Sequence, residues 1–131
     1  MSRREIREHI FKLLFRVEFN SPEDMAEQEE LFFEQEDAAQ GEDADYISDK
    51  FNKISERITE LDGLLNQKAE GWNTARMGKV DLTILRLAVY EIRYDDSVPT
   101  GVAINEAVEL AKKFGQEASA GFVNGILAKF A

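Results

Sequence analysis

Arg4, Arg7, Phe11 and Phe15 recur at helical spacing near the start of the chain and so share one face of a helix. Guanidinium groups neutralise phosphates and aromatic rings stack on unpaired bases, so this face has the chemistry of a single-stranded RNA contact. The same spacing admits a second reading, in which the two rings pack against another helix and the arginines stay in water. Other reactive side chains are sparse. His9 is the only imidazole and shares its helix with Glu5 and Lys12, which reads as a surface position rather than a base. Asn105 and Glu106 fall near the start of a later helix, where a buried polar network or a helix-end contact is expected before a reaction centre. The chain has no cysteine, which excludes a disulfide framework, a thiolate zinc site and a cysteine nucleophile. No H-x-x-x-H, G-x-S-x-G, Walker loop or glycine-rich nucleotide turn occurs. No catalytic residue, metal ligand or cofactor is therefore assigned, and the chain is not read as an enzyme.

The elements that must position these residues are helical. Ser2 and Glu5 have the spacing of a capping box, so a helix should start at Arg3, with Ile6, Ile10, Leu13, Leu14 and Val17 as its core stripe. Ser21 as N-cap and Pro22 at the first helical position predict a second helix, with Met25, Phe32 and Phe33 inward. The acidic stretch "EQEDAAQGEDAD" reads as a loop. From Tyr46, the residues Ile47, Phe51, Ile54, Ile58, Leu61 and Leu65 alternate by four and three, a helix-packing seam that Gly63 should break or bend. "KVDLTILRLAVYEIRY" is apolar on nearly every side and predicts a helix surrounded by others, whose Arg86 needs a carboxylate from another helix. Pro99 precedes the next helix, which buries Ile104, Ala107, Val108 and Ala111, ends in Lys112 and Lys113 and stops at Gly115. Ser119 should cap a last helix with Phe122, Ile126 and Phe130 inward. The expectation is an all-α fold of six or seven helices forming a single domain over residues 1–131, of a size that removes roughly two-thirds of the unfolded surface from water.

Charge is distributed in blocks. Residues 1–16 hold five Lys/Arg against two Glu, and residues 17–49 hold thirteen Asp/Glu with no Lys/Arg. Residues 50–131 balance, which leaves a net charge of -10. A cationic end beside an acidic belt steers a polyanion toward one end of the molecule. The apolar positions near the start are interrupted by Lys12 and Arg16, and Arg86 divides the most hydrophobic run, so neither a secretory signal nor a membrane span is expected and the protein should be soluble.

Three segments, "DLTILRLAVYEI", "VPTGVAINEAVELAKKFG" and "FVNGIL", follow in tight order, and with the upstream "WNTAR" (Trp72 to Arg76) and the arginine-rich first helix they closely resemble the NusB family of transcription antitermination factors. The likeness covers essentially the whole chain and is weakest from about residue 20 to 45. The resemblance implies an all-α fold built as two packed three-helix bundles. It also implies an RNA-binding function in the cytoplasm, on the boxA element of ribosomal RNA transcripts, exercised jointly with the ribosomal protein NusE within the RNA polymerase elongation complex and without cofactor or metal. Carried over residue by residue, it places RNA contacts at Arg3, Arg4, Arg7, Lys113, Gln116 and Phe122, and partner contacts at Phe15 and Asp81. Phe15 stands where relatives have a tyrosine, and Ala118 where they often have a polar or acidic residue. Two alternatives keep the fold: a protein-interaction module with little RNA affinity, and a homodimer with Phe11 and Phe15 in its interface. The domain also occurs fused ahead of some RNA cytosine methyltransferases, but this sequence holds no cofactor-binding sheet.

Overall fold

Helical periodicity governs the chain from end to end. A computed structural model describes residues 1–131, and all of its regular structure is helical. The helices are α1 (Arg3–Phe15), α2 (Met25–Phe33), α3 (Gly41–Ser55), α4 (Ile58–Lys68), α5 (Lys79–Tyr94), α6 (Thr100–Phe114) and α7 (Ser119–Leu127). Short 3-10 turns lie at Arg16–Glu18, Thr74–Arg76 and Ala128–Phe130. The chain divides into two compact units, Met1–Glu56 and Arg57–Ala131. No helix is long and apolar enough to cross a membrane.

In the first unit α1 packs against α3. The capping box forms as expected: the Glu5 N–H donates to Ser2 Oγ at 3.1 Å and the Ser2 N–H to Glu5 Oε1 at 3.2 Å. The second of these, from the Ser2 backbone N–H to the Glu5 carboxylate, favours the charged form and, with the Ser2 side chain, holds Glu5 below the usual carboxylate range. Ile10, Leu13 and Leu14 are fully buried, while Ile6 and Val17, nearer the helix ends, are half-buried. Two boundaries differ from expectation. Ser21 and Pro22 open a turn rather than the helix, with the Ser21 hydroxyl hydrogen-bonded to Asp24 at 3.0 Å, and α2 starts at Met25. The third helix begins at Gly41, inside the stretch read as a loop. Its first turn is acidic, with Glu42 and Asp43, and acids at a helix N-terminus complement the macrodipole.

In the second unit α5 packs against α4, α6 and α7, and ten consecutive residues from Leu82 to Glu91 are buried. The carboxylate expected for Arg86 is Asp62 on α4: Nε donates to Oδ1 and Nη2 to Oδ2, each at 2.8 Å, a bidentate pair. The seam from Ile47 to Leu65 breaks at Glu56 and Arg57, not at Gly63, because the alternation by four and three runs straight across the turn. Beside it the Tyr94 hydroxyl donates to Glu60, and Arg57 Nη1 donates to the same carboxylate at 3.0 Å while its guanidinium lies 4.1 Å from the Tyr94 ring centroid.

Two glycines make opposite predictions. Gly63 lies inside α4, and an added Cβ would meet nothing. Gly63→Ala should therefore stabilise the protein by about 0.5–1 kcal/mol through lost unfolded-state entropy, read as a higher urea midpoint. Gly115 stops α6 as expected, but its φ of -91° is open to any residue. Space is what demands glycine there: a Cβ would sit 2.6 Å from Ser119 Cβ and 2.7 Å from the Ala111 carbonyl oxygen. Gly115→Ala should cost about 2 kcal/mol, with the urea midpoint falling.

Candidate nucleic-acid interface

The residues expected to contact RNA or a partner fall in two groups, one on each unit. On the first unit, burial along one side of α1 rises and then falls. Arg3 and Arg4 are exposed, Arg7 is half-buried, Phe11 is buried, Phe15 is half-buried and Phe19, just past the helix, is 60% exposed. Phe11 is a core residue, so it has no free ring face for a base, and the packing reading holds for it. Its ring stacks on Phe15, with centroids 6.0 Å apart, and Phe15 meets Phe19 edge to face at 5.0 Å. A phenylalanine ladder thus runs from the core to the surface. Sequence reasoning missed Phe19, although the repeat Phe11, Phe15, Phe19 at steps of four was visible.

The position of the arginines is informative. A helix N-terminus carries partial positive charge, so cations in the first turns are unfavourable by about 0.3–1 kcal/mol each. Arg3, Arg4 and Arg7 therefore bring α1 no stability through its macrodipole and concentrate positive potential at one end of the helix. Arg16 differs: Nη1 donates to the Gln28 carbonyl at 3.2 Å and the guanidinium sits 5.2 Å from the Phe32 centroid, which ties α2 to the end of α1. His9, expected at the surface, is half-buried. It packs edge to face on Phe32 at 6.0 Å, and its Nδ1 is buried. The terminal ammonium of Met1 meets Asp43 Oδ2 at 3.1 Å, so the acidic stretch touches the cationic end directly.

On the second unit, Lys113, Gln116 and Phe122 gather around the turn between α6 and α7. Lys113 and Gln116 are exposed, and the Gln116 N–H donates to the buried Ser119 Oγ at 2.9 Å, which fixes the turn. Phe122 lies in the first turn of α7, half-buried, its ring edge to face with Trp72 at 5.1 Å. Asp81 sits half-buried in the first turn of α5, where the macrodipole favours it. Asn105 is exposed, so a buried network does not include it, and Glu106 is half-buried. No group of three or more His, Asp and Glu side chains is placed to hold a metal ion. The arrangement offers cations, stacking rings and hydrogen-bonding groups, and this is binding chemistry.

Comparison with known proteins gives the family. The family model described as "NusB family" matches residues 4–131. The chain is 54% identical over 129 residues to the transcription antitermination protein NusB of Lachnoclostridium phytofermentans, covering 98% of both chains. It is also 54% identical over 131 residues to that of Agathobacter rectalis, covering 100% of both. Among solved structures, T. maritima NusB matches with a TM-score of 0.88 at 35% identity, over 100% of this chain and 91% of that one. A structure of the antitermination factors NusB and NusE in complex with dsRNA matches with a TM-score of 0.84 at 25% identity, over 98% of this chain and 94% of that one. With whole-length identity of this order, the chain belongs to the NusB family of transcription antitermination proteins.

Proposed function

We propose that this protein is an antitermination factor that binds boxA-type RNA of ribosomal RNA leader transcripts jointly with the ribosomal protein NusE, as part of the RNA polymerase elongation complex in the cytoplasm. The observation that carries this reading is the likeness, over 98% of the chain, to a NusB solved together with NusE and double-stranded RNA. The residues assigned to RNA are Arg3, Arg4, Arg7, Lys113, Gln116 and Phe122, and those assigned to the partner are Phe15 and Asp81. The Phe15–Phe19 pair supports the partner assignment, because it presents an apolar surface next to the acidic stretch. A basic protein would meet complementary charge there, while the same acids discourage indiscriminate RNA binding.

A net charge of -10 favours a second reading, a protein-interaction module with little RNA affinity, and a homodimer masking Phe15 is its variant. Fluorescence anisotropy with a labelled boxA-type RNA, with and without NusE, separates these. Weak binding alone and a clear gain with NusE is the expected result, with the single strand preferred over a duplex of the same sequence. Flat titrations in both arms, with NusE still captured, would leave the module. A sedimentation coefficient that rises with protein concentration would point to the homodimer.

A further inference from the structure

The loop between α4 and α5 is held by polar side chains. Asn66 Oδ1 accepts from the Thr74 N–H at 2.8 Å, Asn73 Oδ1 accepts from the Arg76 N–H at 3.2 Å, and Gly71 turns the chain at a φ of +79°. A loop fixed in this way presents its side chains in one place. It presents Trp72, the only tryptophan, 49% exposed and braced edge to face by Phe122 at 5.1 Å with an interplanar angle of 68°. The exposed part of the indole is a large stacking surface whose orientation Phe122 fixes. The loop is also locally cationic: residues 68–79 carry Lys68, Arg76 and Lys79 against a single acid, Glu70, in a chain of net charge -10. An exposed indole within a cationic stretch suits a polyanion with aromatic bases better than it suits a basic protein partner.

We infer that Trp72 is a nucleobase-stacking residue. An unpaired base of the bound RNA lies on the indole, Phe122 braces the ring, and Arg76, exposed in the same loop, meets an adjoining phosphate. This inference rests on the RNA reading above and adds to it a residue that the family likeness did not assign to RNA. It also explains why Phe122, only half-buried and in the first turn of α7, belongs with the RNA-facing group: part of its role is to position Trp72.

Because the tryptophan is unique in the chain, its emission reports on this one position. The experiment titrates boxA-type RNA into the protein with NusE present, using the Trp72→Phe complex as the blank. RNA should quench the Trp72 emission, and a single abasic nucleotide at one position should abolish the quenching. Trp72→Ala should bind RNA about tenfold more weakly, while Trp72→Phe, which keeps a ring, should stay within about twofold. RNA that binds with unchanged emission and equal affinity for Trp72→Ala would overturn the inference. So would a Trp72→Ala variant that loses NusE but keeps RNA. Should the alanine variant fail to fold by circular dichroism, the quenching and abasic series on the unsubstituted protein decide alone. If the unsubstituted protein with NusE binds no RNA at all, the RNA reading itself falls, an outcome distinct from those two.

Discussion

Asp62→Ala should lower the thermal midpoint by about 10 °C, corresponding to roughly 3 kcal/mol in a chain of this size. The loss comes from Arg86. It is 7% exposed within the most buried helix, and two of its hydrogen bonds, each at 2.8 Å, go to Asp62 on α4. Removing the carboxylate takes this bidentate partner from a guanidinium that cannot lose its proton, on a helix whose Leu82, Leu85 and Val89 are themselves buried. Asp62 is 22% exposed at its side chain, so water reaches part of the pair, and the estimate sits at the low end for buried ion pairs. The converse separates pairing from packing. Asp62→Leu combined with Arg86→Met removes both charges and keeps apolar volume, and should recover most of the lost stability. A single variant within 1 kcal/mol of the unsubstituted protein, by denaturant titration, would show that the pair does not join α4 to α5.

That pair illustrates what was legible in the sequence. An arginine in the middle of an apolar run needs a carboxylate, and Glu91, five residues further on, falls on a different face of the helix, so the partner had to come from another helix. A capping box similarly located α1, and periodic apolar stripes located α5, α6 and α7, where local signal and tertiary packing agree, although Ser119, expected as the N-cap of α7, is its first helical residue. The reading went wrong where local chemistry said one thing and packing another. The break at Glu56 and Arg57 is invisible to periodicity, because the seam keeps its phase across it. Acids and a glycine suggested a loop at residues 41–45, yet they form the first turn of α3. For Phe11, outside the narrow stripe, the spacing left packing and base stacking both open, and packing holds: a helix packed on another buries an arc of 100° or more, and Phe11 lies within the arc that includes Leu14. Trp72 lies in a loop, where no periodicity exists to weigh it; only its being the sole tryptophan among polar turn residues could have marked it.

Replacing Arg3, Arg4 and Arg7 together by alanine should weaken boxA-type RNA binding about 30-fold at moderate salt, taking roughly 0.7 kcal/mol for each exposed charge contact. Salt dependence is the sharper readout. If the arginines and a lysine neutralise three or four phosphates, the slope of log affinity against log salt is about -2 to -3, and losing three contacts should flatten it by about two. Folding should not suffer, because alanine favours helix and removing cations from a helix N-terminus relieves an unfavourable interaction. The triple variant should therefore melt close to the unsubstituted protein while binding RNA far less well, a separation that a purely structural role for these arginines does not produce. Lysine at all three positions distinguishes charge from geometry. It preserves the slope, because counterion release depends on charge, but recovers only part of the affinity, because an ammonium cannot make the paired hydrogen bonds of a guanidinium. An alanine triple variant with an unchanged slope would show that the cationic end of α1 does not touch phosphate, and the RNA path would then have to rest on the second unit's Lys113 and Arg76.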